Sequence, residues 1–144
     1  MKSYLVDANV WLALVYDLHV HHRAAHSWFD TLAANQAFFC RHTQLALLRL
    51  LTNRKVMGRD VLGQRQAWRI FDRTASDVRV GFLAEPAGVE AEFRRLTQSS
   101  QPATHSWSDA YLAAVAVSGG LAVAALDRRF AGADGVEIHY VSVS

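Results

Sequence analysis

Ser3-Tyr4-Leu5-Val6-Asp7 near the start of the chain and Leu121-Ala122-Val123-Ala124-Ala125-Leu126-Asp127 near its end share one pattern, a short apolar run that breaks off at an aspartate. Apolar runs this short, without polar alternation, read as strands buried on both faces, as in parallel sheets covered by helices. Lying parallel in one sheet, the two runs would carry Asp7 and Asp127 to the same edge, where open α/β sheets bind their ligands. Like charges a few ångströms apart repel, so such a pair calls for a metal ion or a shared proton.

Between these runs the pattern alternates. Val10 to Tyr16 reads as a short buried helix with Asn9 as its N-cap, and His22 to Leu32 as an amphipathic helix with Ala25, Trp28, Phe29 and Leu32 on one side. Ala37 to Cys40 is a strand. Thr43 then caps an apolar helix from Gln44 to Leu51. Val61 to Ala75 is a helix turning Val61, Trp68, Phe71 and Ala75 inward. A strand over Val78 to Leu83 and a helix over Gly88 to Leu96 follow, then a helix over Trp107 to Val117 that Gly119-Gly120 stops, and an edge strand over Glu137 to Val141. Strands separated by helices predict an α/β fold, a central, mostly parallel sheet of about four to five short strands with helices on both faces. Trp11, Trp28 and Trp68 fall at apolar helical positions and are expected in the core.

The chain of 144 residues is 51% hydrophobic and has no repeat, low-complexity tract or linker, which predicts one globular domain over residues 1–144. Its single cysteine, Cys40, excludes an internal disulfide and fits a reducing compartment. Asp7 and Asn9 interrupt the only stretch resembling a signal peptide. The apolar run from Ala110 to Leu126 is split by glycines and bounded by aspartates, so it reads as helix, stop and strand rather than a membrane span. A cytoplasmic protein is expected.

Asp109 is the third acid of interest. Ser106-Trp107-Ser108-Asp109 has the spacing of a capping box, and an acid in a first turn complements the helix dipole. The same helix runs directly into the strand that ends at Asp127, so Asp109 is equally placed to serve a ligand. His19, His21, His22 and His26 crowd one helix start; His22 and His26 have a metal-gripping spacing, but the group reads as polar helix-start residues. Asp134 lies in Gly132-Ala133-Asp134-Gly135, which reads as a turn and makes Asp127 the better site residue.

Four segments together resemble a known family. Leu5-Val6-Asp7-Ala8-Asn9, Thr43-Gln44-Leu45-Ala46-Leu47-Leu48-Arg49, Ser108-Asp109-Ala110-Tyr111-Leu112-Ala113-Ala114 and Leu126-Asp127-Arg128-Arg129-Phe130 resemble the successive signature segments of PIN-domain ribonucleases. In order and spacing they most resemble VapC toxins of bacterial toxin–antitoxin pairs, across nearly the whole chain. The resemblance implies a PIN-like fold in which Asp7, Asp109 and Asp127 bind Mg²⁺ or Mn²⁺ and act as the catalytic acids. Asn9 would orient the first of them. It also implies an RNA substrate, a small VapB-like antitoxin that blocks the acidic crevice, and a homodimer.

One position departs from the family pattern. Where a glutamate is usual at the start of the third helix, the chain has Gln44 beside Thr43. An amide carbonyl can accept a hydrogen bond from a metal-bound water but carries no charge. Thr43 and Gln44 are therefore expected around the metal as water-orienting groups, with Gln44→Glu tightening ion binding.

The charge distribution fits a polyanionic substrate. Net charge is only +2, yet residues 41–79 hold nine Lys or Arg against Asp60, Asp72 and Asp77. Arg65, Arg69 and Arg73 recur every four residues and form a stripe on one helix, able to contact phosphates. Trp107, at a helix start near the acids, could stack on a base, and His105 could touch the substrate. Two other readings remain open. One is a non-catalytic binding module with a degraded metal site, suggested by Gln44. The other is an aspartate-based phosphotransfer domain with Asp7 as nucleophile, which lacks a second acid at position 9.

Overall fold

The computed structural model describes residues 2–102, 106–128, 130 and 135–142. A five-stranded sheet forms its centre, built from β1 (Tyr4–Val6), β2 (Ala37–Phe39), β3 (Val80–Phe82), β4 (Ala122–Ala125) and β5 (Ile138–Tyr140) in the order β3-β2-β1-β4-β5. Every neighbouring pair is parallel. The helices are α1 (Ala8–Val15), α2 (His22–Phe29), α3 (Arg41–Leu51), α4 (Arg54–Met57), α5 (Gln64–Ala75), α6 (Val89–Leu96) and α7 (Ser106–Gly119), with a 3₁₀ turn at Gly58–Asp60.

Strand alternation divides the core. On β1, Val6 joins an aromatic-rich layer with Trp11, Trp28, Phe29, Phe39 and Phe71 from the side of α1, α2, α3 and α5. Leu5 points the other way, into a layer of Val123, Ala125, Leu112, Ala114, Val115 and Ala116 beneath α6 and α7. Trp11 stacks on Phe39 with ring centroids 4.0 Å apart, the aromatic anchor of the first layer. Small residues do the equivalent work in the second, letting α7 lie close to the sheet.

The turn from α7 into β4 is a Schellman motif. Leu121 N–H donates to Ala116 O at 2.8 Å and Gly120 N–H to Val117 O at 3.2 Å, while Gly120 takes φ 72°. A side chain there would strain the backbone, so glycine stops the helix and aims the chain along the sheet.

Several boundaries differ from those read in the sequence. α1 starts at Ala8 with Asp7, not Asn9, at the cap. α3 starts at Arg41 because Cys40 caps it; Thr43 Oγ1 accepts from the Cys40 N–H at 2.9 Å from inside the helix. The predicted helix over 61–75 begins only at Gln64; residues 61–63, its expected first turn, are an irregular link between the 3₁₀ turn and α5. Trp68 is 47% exposed rather than core, its ring edge-on to Phe71 at 5.9 Å. Asp134, His105 and the side chain of Ser106 lie outside the described residues. Among the described residues no helix is long and apolar enough to cross a membrane.

Candidate active site

Register places the first two acids. Tyr4, Leu5 and Val6 pair with Ala122, Val123 and Ala124, so the parallel strands β1 and β4 finish side by side. Asp7 N–H donates to Ala124 O at 2.9 Å, the last rung of that ladder, and Asp127 follows within two residues of the end of β4. From β1 the chain moves outward through β2 and β3, then returns to the opposite side of β1 as β4. The β1/β4 junction is therefore the switch point where strand order reverses, the position where such sheets open a crevice.

That crevice has a volume of about 380 Å³, and Asp7, Asn9, Asp109, Asp127, His19, His21 and Phe130 are among the residues lining it. α7 brings in Asp109 from its first turn. The pKa of Asp7 is pushed up to about 6, first by burial and second by the charge of Asp109. The backbone N–H groups of Ala8 and Asn9 and the Asn9 side chain oppose the shift without cancelling it. A carboxylate kept in this state is stabilised by any cation that enters beside it. The lining acids do not yet form a coordination shell: among the described residues no three His, Cys, Asp or Glu side chains stand in a geometry that could hold a metal ion.

Thr43 and Gln44 are not in the crevice, contrary to the sequence expectation. Thr43 is buried and engaged with the Cys40 backbone. Gln44 shares the buried stripe of α3 with Leu47 and Leu51 and lines a separate cavity beside Phe39, Phe71, Val80 and Phe82. Its Oε1 accepts from Arg41 Nη1 at 2.5 Å. Gln44 lies three and seven residues before Leu47 and Leu51, so helical periodicity puts it on their buried face, beside Val80 and Phe82 of β3. The α3 side chain that senses the acids is His42. Its ring lies 5.4 Å from that of Tyr111, and Asp109 raises its pKa against the larger lowering by burial and Arg49.

Arg65 and Arg69 are exposed on α5, which packs on α3 and β3 at the far edge of the sheet from β4. Arg73 instead borders a cavity over Trp11, with Phe29 and Arg79, so the stripe is not one continuous face toward the crevice. Trp107 is 51% exposed, its ring edge-on to Phe93 at 5.9 Å. His19 and His21, which the sequence assigns to a polar helix start, line the crevice instead; their place in a connection following the first acid-bearing segment is the signal for it.

The family model for the PIN domain matches residues 4–136. A Mycobacterium tuberculosis protein named Ribonuclease VapC41 is 43% identical over 143 residues, covering 96% of this chain and 98% of its own length. The chain is a PIN-domain protein of the VapC family. Ribonuclease VapC31 of the same organism is 33% identical over 131 residues, covering 89% of this chain and 91% of its own. The VapBC2 structure from Rickettsia felis, solved bound to a DNA fragment from its promoter, superposes with a TM-score of 0.72 at 12% identity, covering 96% of this chain and 98% of the matched one. Mycobacterium tuberculosis VapC20, described as a sarcin-ricin loop cleaving toxin, superposes with a TM-score of 0.66 at 21% identity over 89% of this chain and 92% of its own. At these identities the structural likenesses establish the PIN fold, while the VapC membership rests on the 43% identity.

Proposed function

We propose that the crevice hydrolyses RNA phosphodiester bonds and that the chain is the endoribonuclease toxin of a toxin–antitoxin pair. The observation that carries this reading is the lining of one crevice by Asp7, Asp109 and Asp127, in a chain 43% identical to a VapC ribonuclease over nearly its full length. A divalent metal ion belongs to this reading, as the resemblance to PIN-domain ribonucleases implies. Three carboxylates offer hard oxygen donors, and the raised pKa of Asp7 is an electrostatic cost that a cation relieves, so the donor chemistry suits Mg²⁺ or Mn²⁺, with the acids drawing together around the ion. Asp7, Asp109 and Asp127 would hold the ion, which would supply a water of lowered pKa and offset charge on the phosphate.

The chain's own contribution is positioning. Asp7 is fixed at the join of β1 and α1, where the N–H groups of Ala8 and Asn9 favour its charged form. Asn9 holds the carboxylate from the side. Asp109 rides on α7, whose close packing on the sheet sets its approach. No side-chain nucleophile is needed, and Cys40 is buried away from solvent. The partner is a small VapB-like antitoxin that occludes the crevice, and the pair works in the cytoplasm as a dimer of toxins.

The test is to incubate antitoxin-free protein with total cellular RNA in Mg²⁺ or Mn²⁺, beside a chelator control and Asp109→Asn. Discrete cleavage that requires both the ion and Asp109 is the expected result. Ion binding with no cleavage of any cellular RNA would replace the enzyme with a binding module.

A further inference from the structure

The connection between α1 and α2 forms a wall of the crevice that the acids do not explain. His19 and His21 line the crevice together with Asp7, Asp109 and Asp127. Their rings lie 5.8 Å apart, and Val20 between them is 86% exposed. Three carboxylates offer no donor to an anionic strand. Among the described lining residues there is no lysine or arginine, so Asn9 and the two imidazoles are the side-chain donors facing it.

The connection is pinned rather than loose. His19 N–H donates to Tyr16 O at 3.0 Å, His22 N–H to His19 O at 3.0 Å, and the Tyr16 hydroxyl to Asp60 at 2.6 Å. His22 Nδ1 sits 2.7 Å from Ala13 O, tying the start of α2 to α1. Within this frame the His21 backbone N–H donates to His19 Nδ1 at 3.0 Å. A ring nitrogen that accepts carries no proton, so the neutral His19 ring keeps its proton on Nε2. Burial and the nearby His21 and His22 hold its pKa below the ordinary histidine value, which favours that neutral donor form.

We propose that His19 is a substrate-binding residue whose Nε2–H donates to a phosphodiester oxygen of the RNA strand in the acid crevice, with His21 flanking it. A neutral donor suits this wall, because it grips a phosphate without forming an ion pair with the adjacent aspartates and closing the crevice. Val20, which lines the crevice between the two histidines, gives the same wall apolar surface for the sugar or base beside that phosphate. The assignment rests on the ribonuclease reading and extends it to how the strand is held.

The experiment compares His19→Phe, which keeps a ring but no donor, with His19→Gln, which restores an N–H. Both are measured for cleavage of total cellular RNA in Mg²⁺, and again for RNA retention on filters in an Asp109→Asn background. His19→Phe should lower cleavage about tenfold through KM and weaken RNA retention similarly, with Mg²⁺ affinity by calorimetry unchanged and the unfolding midpoint lowered only by the loss of the His21 N–H contact. His19→Gln should recover most of the loss. Equal cleavage and retention by wild type and His19→Phe would overturn the proposal, as would a loss that tracks Mg²⁺ affinity. If the wild-type protein retains RNA but cuts none, the ribonuclease reading fails while the retention arm still decides His19. A wild-type protein that neither retains nor cuts RNA overturns both.

Discussion

Asp7, at the carboxyl edge of β1, has its pKa pushed up to about 6, whereas Asp77, just ahead of β3, is held down at about 2. Asp77 accepts from Arg79 Nη2 at 2.8 Å and from Arg79 Nε at 3.0 Å, and the same guanidinium lies 4.0 Å from the ring centroid of Phe29. Asp7 is more deeply set, faces Asp109 and has only backbone and amide donors to offset the repulsion. One aspartate is therefore satisfied by its own fold, and the other carries a charge that its surroundings disfavour. Strained electrostatics of the second kind marks sites of chemistry, because a fold selected only for stability would have paired or replaced the group.

The contrast fixes two opposite dependences on pH. Asp7 has a folded pKa above its unfolded value of 3.8, so its folded state favours the proton; stability falls as pH rises through that interval and stays lower above about 6. Asp77 has a folded pKa below 3.8; its contribution is complete above that value and is lost as pH falls toward about 2.

Substitution should separate the two regions. Asp7→Asn is expected to stabilise the metal-free protein at pH 8 by up to about 3 kcal/mol, from the pKa difference, while cutting RNA cleavage by roughly a hundredfold or more. Denaturant unfolding beside a cleavage assay reads both, and a destabilised Asp7→Asn would erase the contrast. Arg79→Met should do the reverse, lowering stability by about 1 kcal/mol through removal of the ion pair and of the packing on Phe29, with cleavage unchanged.

Arg65→Ala combined with Arg69→Ala tests whether the basic middle of the chain extends the footprint beyond the crevice. For every phosphate that one of these arginines neutralises, the substitution should reduce the log–log salt slope of RNA binding by about 0.7, and an unaltered slope removes both arginines from the interface. The smallest effect is expected of Gln44→Glu. With residue 44 turned toward Arg41 and Phe82, the carboxylate would pair with that arginine and leave Mg²⁺ affinity by calorimetry where it was. Tighter ion binding would return that helix position to the metal site.

What was legible in the sequence follows from what is locally encoded. The runs ending at Asp7 and Asp127 carry their strand character and acids in a few adjacent residues, and β1 and β4 appear where those runs lie. Gly119-Gly120 likewise announces the end of α7. Helix starts were less legible because neighbouring polar residues compete for the cap, as Asp7 does with Asn9, and as Cys40 does with Thr43. Gln44 turns away from the acids because its spacing to Leu47 and Leu51 puts it on the α3 face toward β3, a contact that the sequence of the helix does not name. Trp68 shows another limit, since helical spacing gives a face but not what covers it. His19 and His21 read as polar helix-start residues because the crevice wall they form is a turn, with no periodicity to mark it as facing the acids.

The central claim is that Asp7 is an acid held in an unfavourable state that a divalent cation relieves. Its most direct test is the NMR titration of the Asp7 carboxyl carbon, with and without saturating Mg²⁺. The midpoint should lie at about 6 in the metal-free protein and drop by at least about one unit when the ion is present. A midpoint near 3.8 without the ion, or one that Mg²⁺ leaves unmoved, would contradict the account.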